Sequence, residues 1–593
     1  CQRERHLDHH RETFDAVLDT CERIAREKYA PYNRLIDTQE PVFDGQRVIL
    51  PQATHDAHRA YVESGMLAAA QDAEIGGMQL PFTVESAGNA FFACASVSMG
   101  AHMLTVGNAN LIMAHGTPQQ KAVFAQHQFN GRWAGTMCLS EPQAGSSLSD
   151  IVTRAEPDGA DHESDPLGPR YRLRGHKMWI SNGDHDLTEN IVHLVLAKIP
   201  DADGRLVPGV KGISLFIVPK FLVDKEGQLT VRNDVSLAGL NHKCGWRGTV
   251  NTLLNFGEGK YPVRGQAGAI GYLVGQAGEG LRCMFHMMNE ARIGVGMAAT
   301  MLGMAGYHAS LDYARNRPQG RPMGPSGKDA AQPQISIIEH ADVKRMLLTM
   351  RAMTEGARAL AYVAAAACDA GHHAADDAAR KQNEALYEFL VPIVKGWSTE
   401  MSIDVTSLGV QVHGGMGFIE ETGAAQYYRD ARILPIYEGT TAIQANDLIG
   451  RKTVRDGGAV ALGICAEIAK VEAALAAKGG AHCEAMRARL AAGREAMESV
   501  VRFVVAQTKA QPNAVFAGSV PYLRLCGIVL SGWQMARALL VAIDRESEDP
   551  NFYGAKIATA RVFADVLLTQ APGIAQSVLT GGETIGAVPE VQF

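Results

Sequence analysis

Residues 1–133 carry apolar positions mostly at helical spacing, as at Phe14, Val17, Leu18 and Cys21, and this pattern predicts an N-terminal helical domain. Within it, Thr117-Pro118-Gln119-Gln120 reads as an N-cap with proline at the first helical position, and Gly76-Gly77 and Gly107 read as breaks. Over residues 134–262 the texture changes to short runs of period two or continuous β-branched content, at 171–181, 191–199, 213–218 and 249–256, separated by Gly, Asp, Pro and Asn. These predict a middle β-domain, in which the acidic stretch 156–165 reads as a solvated loop. Helical spacing returns over 263–455, in the long Ala- and Met-rich segments 284–314 and 337–369, joined by an exposed Pro- and Gly-rich connection at 318–334. Beyond 456, amphipathic spacing at Ile464, Ile468, Val471 and Leu475, and again over 523–543, predicts an additional C-terminal helical domain. The fold class expected is α+β, mainly α.

Length and composition narrow the classes of function. At 593 residues the chain exceeds what one hydrophobic core usually organises, so several domains are expected. With 46% hydrophobic and 20% charged residues it is far from a disordered composition. A formal charge of −7 offers no general attraction to nucleic acid or anionic lipid, and the segment from 456 onward is nearly neutral, with 12 Lys and Arg against 13 Asp and Glu. No continuous apolar run approaches the roughly 20 residues needed to span a bilayer, so no membrane segment is expected. The ten cysteines are scattered singly, without a CxxC pair or zinc-ligand spacing; this suggests reduced thiols, a cytoplasmic setting and no metal site. Residues 1–10 are charged and lack the apolar segment of a secretory signal.

Five segments carry candidate chemistry. In Ile436-Tyr437-Glu438-Gly439-Thr440-Thr441, apolar neighbours can desolvate the Glu438 carboxylate and make it a stronger base; the same residue also suits an exposed helix start. Met137-Cys138-Leu139-Ser140-Glu141-Pro142-Gln143-Ala144-Gly145-Ser146-Ser147 has the small residues that let backbone N–H groups approach a flat ligand or a phosphate, or is simply a polar loop. Lys177-Met178-Trp179-Ile180-Ser181-Asn182-Gly183 places Trp179 and Ser181 two residues apart, on one face of a strand if alternation holds; they either cover a ligand ring or fill a core. Tyr313-Ala314-Arg315-Asn316-Arg317-Pro318-Gln319-Gly320 is a cationic helix end, suited to phosphate or merely complementing the helix dipole. Gln411-Val412-His413-Gly414-Gly415-Met416-Gly417-Phe418 reads as a helix closing into a turn that exposes backbone, as any Gly-stopped helix would.

In their order and spacing these segments resemble the acyl-CoA dehydrogenase family over roughly residues 60–452, as does the preceding helix with Asn289-Glu290-Ala291-Arg292. The additional C-terminal domain and Asn241-His242-Lys243-Cys244-Gly245-Trp246-Arg247-Gly248 are similar to the branch of 3-methylthiopropanoyl-CoA dehydrogenases and their relatives. The resemblance implies an N-terminal helical domain, a β-barrel-like middle domain and a four-helix bundle carrying the catalytic base, with 456–593 as the extra domain. It implies FAD-dependent α,β-dehydrogenation of an acyl-CoA to the trans-2-enoyl-CoA, with 3-methylthiopropanoyl-CoA or another short- or medium-chain thioester as substrate. Glu438 would take the α-proton while the β-hydride goes to flavin N5.

Residue by residue, the resemblance sets Met137, Leu139 and Ser140 against the isoalloxazine ring, with Trp179 and Ser181 on its other side or at the phosphates. Arg317, Gln319, Gln411, Gly414 and Gly415 would reach the FAD of a neighbouring subunit, and Thr440 and Gln444 would complete the diphosphate and adenosine contacts. Ser146, Arg292 and Gly439 fall on the substrate side. Some relatives carry the base where this chain has Ala291, which leaves Glu438 in the role; Glu290, one step back, belongs to another side of the helix. The chain departs from the family at Gln143 (usually Gly), Ser147 (usually Asp), Ala442 and His413, and its Pro318-Gln319-Gly320 is shifted from the common pattern. The partners implied are an acyl-CoA, an electron-transfer flavoprotein and a second copy of the chain in a dimer, with no nucleic acid. The competing readings are an acyl-CoA oxidase and a flavin-bearing DNA-protection protein.

Overall fold

A computed structural model of the chain describes residues 9–100 and 102–593. Residues 1–8, most of the segment read as lacking a secretory signal, lie outside it. The described chain divides into two compact units, one up to Gly294 and one from Val295 onward. The helix Gly280–Asn316 begins in the first and runs past its end.

In the first unit the helices Arg11–Ile24, Gln52–Glu63, Phe82–Ala95 and His102–His115 precede the sheet. Thr117 caps the next turn as its sequence predicts, accepting from the Gln120 N–H while the Gln120 side chain accepts from the Thr117 N–H. Gly107 does not break a helix. It sits inside His102–His115, where an added Cβ would fall 2.9 Å from Met287, so its smallness serves close packing.

The eight-stranded sheet runs in the order 235–240, 251–256, 170–181, 269–274, 213–219, 190–198 and 133–138, with 154–157 pairing to 170–181 and 190–198 off that path. Most pairs are antiparallel; 133–138 and 154–157 each run parallel to 190–198. The strand Ala269–Val274 lies between two others, so the sheet continues past the boundary expected at 262. The acidic segment is also more than a solvated loop. Asp158 is buried and binds Arg170 Nε at 2.7 Å and Arg172 Nε at 2.6 Å, and Asp165 binds Arg170 Nη1 at 2.7 Å. One buried carboxylate and one half-buried one here neutralise two arginines that the strand turns inward. Ala109, Phe124, Trp133, Val192, Ile217, Met284 and Met287 belong to one core cluster, so helices and sheet share a single interior.

The second unit is helical. The long helices Ala341–His373 and Asp377–His413 pack along each other and are followed by the short Ala424–Ala431 and Thr441–Asp447. The connection 318–334 is exposed as expected and includes the small hairpin Met323–Gly324 with Gly327–Lys328. Beyond 456 come Ala459–Lys478, Ala481–Gln507, Ser519–Arg545, Pro550–Val562 and Ala571–Gly586. Ser519–Arg545 lies against both Ala341–His373 and Asp377–His413. An added Cβ at Gly527 would fall 2.3 Å from Trp397, and Trp397 Nε1 donates to Ser531 Oγ at 3.2 Å.

Ser519–Arg545, with a mean hydropathy of 1.6, and Pro550–Gly586, at 1.3, are long and apolar enough by composition to cross a membrane. The window in Ser519–Arg545 is 67% buried inside the protein, because that helix is packed on several others at once. Its apolarity is a requirement of the interior, spread over interrupted stretches rather than one continuous run.

Candidate active site

In the first unit, the fully buried strand Trp133–Cys138 delivers the loop that begins at Leu139. Glu141 anchors this loop. Its carboxylate accepts from Lys177 Nζ at 2.9 Å, from Thr153 Oγ1 at 2.6 Å and from the Val152 N–H at 2.7 Å. Burial opposes ionisation of Glu141, but the Lys177 charge and these hydrogen bonds outweigh it and hold its carboxyl below the usual range. Both departures noted in this loop are absorbed inside it. Gln143 donates to Glu141 at 2.8 Å, and Ser147 Oγ donates to Asp150 at 2.6 Å.

The same anchor joins two segments that the sequence left apart. Lys177 Nζ donates to the Leu139 carbonyl at 2.9 Å, and the Met178 N–H donates to the Ser140 carbonyl at 3.0 Å. Opposite them the register of 251–256 on 170–181 slips between Thr252, facing Ile180, and Leu254, facing Lys177. Met178 and Trp179 therefore oppose one residue, Leu253. This bulge takes Trp179 to φ +64 and turns its indole outward, 59% exposed. The simple alternation expected for Trp179 and Ser181 is thereby broken. Ser181, Leu139 and Ser140 are half-buried, Met137 is buried in the core, and Ser146 is exposed. Arg292 is buried, with its guanidinium 5.9 Å from the Phe285 ring, and Glu290 accepts from Asn110 at 3.3 Å.

In the second unit, Glu438 sits on the loop between Ala424–Ala431 and Thr441–Asp447, with φ +56, followed by Gly439 at φ +86. Two successive left-handed residues are unfavourable where the first has a side chain, so the surroundings must impose them. Fully buried Lys395, on Asp377–His413, donates to the Gly439 carbonyl at 2.7 Å. Gln444, also fully buried, donates to the carbonyls of Glu438 at 3.1 Å and Gly439 at 3.3 Å. Thr440 Oγ1 accepts from the Ile443 N–H at 3.3 Å as the cap of the next helix, and Thr441 Oγ1 donates to Glu400. Burial and the Glu438 charge push the Tyr437 phenol well above its ordinary range, so it stays protonated.

The remaining candidates of this unit are open to solvent. Gln411, Gly414 and Gly415 are exposed; Gly414 has φ +61, and a Cβ at either glycine would meet nothing within 4 Å. The unusual His413 faces inward, its Nδ1–H donating to the Gly409 carbonyl at 2.7 Å and its ring stacking on Tyr313 at 4.3 Å. Arg317 and Gln319 are exposed side chains on a backbone tied to residues 335–337.

The sequence motif singles out Glu438 and includes Gln444, but it leaves Lys395, the other group that holds the loop, unmarked. Lys395 stands in an apolar helical run, where an isolated Lys among Phe389, Leu390, Val391, Ile393, Val394 and Trp397 was the available signal. Glu141 and Lys177 were inside motifs already quoted, without their pairing. Among the described residues no group of His, Cys, Asp and Glu is placed to hold a metal.

Three family models match this chain: the acyl-CoA dehydrogenase N-terminal domain over residues 11–131, the acyl-CoA dehydrogenase C-terminal domain over 278–452, and an acetyl-CoA dehydrogenase C-terminal-like model over 464–589. The chain is 42% identical to a 3-methylmercaptopropionyl-CoA dehydrogenase of Ruegeria pomeroyi over 96% of its own length and 93% of that protein. It is 33% identical to a butyryl-CoA dehydrogenase of Syntrophomonas wolfei, over 95% and 90% of the two chains. The structure of an acyl-CoA dehydrogenase from Bacillus anthracis, complexed with FAD, is similar in fold, with a TM-score of 0.75 at 20% identity, covering 97% of this chain and 89% of that one. With family models matching most of the chain and full-length relatives at this identity, the protein belongs to the acyl-CoA dehydrogenase family.

Proposed function

We propose that this protein is an FAD-dependent acyl-CoA dehydrogenase that converts a short- or medium-chain acyl-CoA, 3-methylthiopropanoyl-CoA among them, to its trans-2-enoyl-CoA. The observation that carries the reading is Glu438: a carboxylate on a left-handed, clamped backbone, in a chain whose family performs this chemistry. The naming of the Ruegeria pomeroyi relative for 3-methylmercaptopropionyl-CoA supports the substrate.

The residues fit a flavin. Trp179 presents an exposed indole beside the half-buried Ser140 and Ser181, and Gly414 and Gly415 offer open backbone of the kind a phosphate or amide can approach. Bound FAD supplies the acceptance of the β-hydrogen with its electron pair. Glu438 removes the α-proton, and its fixed backbone keeps the carboxylate from wandering off the reacting carbon. The Glu438 N–H is the protein donor for the thioester oxygen on which negative charge develops. Tyr437, held protonated, adds no second charge beside the base.

Ser146, Arg292 and Gly439 serve the substrate side in this reading. Arg317, Gln319, Gln411, Gly414 and Gly415 serve the cofactor of a second copy in a dimer, which the exposure of Met416 and Phe418 beside that turn supports. Met137, Leu139, Thr440 and Gln444 support the site through backbone and loop. The electron acceptor is an electron-transfer flavoprotein, and the setting is cytoplasmic. Anaerobic addition of butyryl-CoA and 3-methylthiopropanoyl-CoA to the flavin-loaded protein is expected to bleach its visible absorbance, and Glu438→Gln to abolish the bleaching. Bleaching of the variant at the wild-type rate would remove Glu438 from the role. Stoichiometric hydrogen peroxide in air would make the protein an oxidase.

A further inference from the structure

We propose that Lys395 is a positioning residue of the reaction, whose buried ammonium holds the base loop in the one conformation that presents Glu438 to the substrate. The inference rests on the reading of Glu438 as the base. Lys395 has no exposed surface, an arrangement that is costly for an ammonium and persists where the charge has a purpose. Its Nζ lies 2.7 Å from the Gly439 carbonyl, immediately after the base. A charged donor at this distance makes a stronger and more directional contact than a neutral one.

The loop needs such a hold. Glu438 at φ +56 and Gly439 at φ +86 form a left-handed pair that a Glu does not adopt by preference. Relaxation of Glu438 toward ordinary φ would swing its Cα–Cβ bond and carry the carboxylate away from the α-carbon. Three contacts oppose this: Lys395 on the Gly439 carbonyl, Gln444 on the carbonyls of Glu438 and Gly439, and Thr441 on Glu400. Lys395 and Glu400 are on the same helix, Asp377–His413, so one rigid element grips the loop at two points, Gly439 and Thr441. Gln444 cannot substitute for Lys395. Its amide nitrogen is already shared between two carbonyls, and its Oε1 is buried without a hydrogen-bond partner.

Lys395 also sits where rigidity can be transmitted. Gly396 and Trp397 follow it, and both are packed against Ser519–Arg545: an added Cβ at Gly396 would fall 2.6 Å from Leu523. The turn that carries Lys395 therefore has no freedom to follow a moving loop. A lysine that merely glued the loop would affect stability and flavin binding. A lysine that positions the base must affect the proton-transfer step itself.

The test uses the flavin-loaded enzyme and butyryl-CoA, protonated or dideuterated at the α-carbon, in anaerobic stopped flow. Lys395→Met is expected to keep its flavin and its KM within about twofold, and to reduce flavin roughly 10²-fold more slowly, the loss typical of a small misplacement of a catalytic group. The α-deuterium isotope effect on flavin reduction should remain full or grow. Lys395→Arg should recover a large part of the rate. A folded, flavin-loaded Lys395→Met that reduces at the wild-type rate overturns the proposal. Loss of rate, KM and flavin content together in proportion to lowered Tm also overturns it, leaving Lys395 a structural residue. If the Met variant does not fold, Lys395→Gln takes its place under the same criteria, and failure of both to fold counts against the proposal. Glu438→Gln measured in parallel separates the two readings: an inactive Glu438→Gln beside a normal Lys395→Met removes only the positioning role, whereas a normal Glu438→Gln removes the base.

Discussion

Lys177 Nζ lies 2.9 Å from Glu141 Oε1 with both side chains withdrawn from solvent, and this ion pair fastens the loop 139–153 to the strand Arg170–Ser181. Removing the cation leaves a carboxylate buried with neutral donors only, which costs about 3–5 kcal/mol in comparable pairs. Lys177→Met is therefore expected to lower the Tm clearly and to loosen flavin, since Leu139 and Ser140 are held by the same strand. Differential scanning fluorimetry together with the flavin-to-protein absorbance ratio checks both outcomes.

Trp179→Ala should behave in the opposite way. The indole is 59% exposed on a bulge, so little core packing is lost and the Tm of the flavin-free protein should stay close to wild type. If the indole covers the flavin, the variant should lose FAD on dilution or gel filtration and show an altered visible spectrum. An unchanged FAD Kd would remove Trp179 from the cofactor site.

Acid should unfold the first unit early. Burial pushes His58 down to about 4, and burial pushes His102 and His193 down to about 3, with neighbouring positive charge adding to each effect. Their folded values lie below the ordinary 6.5, so the unfolded chain binds more protons across that interval. Stability is then complete above about pH 6.5 and falls as the pH drops toward 4, by up to ~1.4 kcal/mol per pH unit for each histidine. Urea midpoints measured between pH 8 and 4.5 should fall with this slope. His102→Phe, which keeps a ring against Tyr61 at a stacking distance of 3.7 Å in the parent, should flatten the dependence.

Gly527→Ala should destabilise the second unit. The new Cβ would stand 2.3 Å from the Trp397 ring, too close for either helix to absorb without shifting. Overpacking of this kind costs about 1–3 kcal/mol, and thermal unfolding should register it as a fall of several degrees. An unchanged Tm would mean that Ser519–Arg545 can slide on Asp377–His413.

Much of this protein was determined by its sequence alone. Period-two runs yielded the central strands, helical spacing yielded the long helices, and the Thr117 cap was fully legible, because each depends on residues within one turn or one strand. The motif around Glu438 was legible for the same reason: Ile-Tyr-Glu-Gly-Thr is local. Tertiary structure decided what distant segments share. It placed Gly107 in a helix against Met287 and drew the strand Ala269–Val274 into the sheet. It used Asp158 to neutralise two inward arginines, and it turned Trp179 outward through a bulge that only the partner strand reveals. It also set Lys395 beneath Gly439, across 44 residues of chain. No periodicity encodes such a contact, since the cost of burying an ammonium is met by a carbonyl that arrives only when the helices pack.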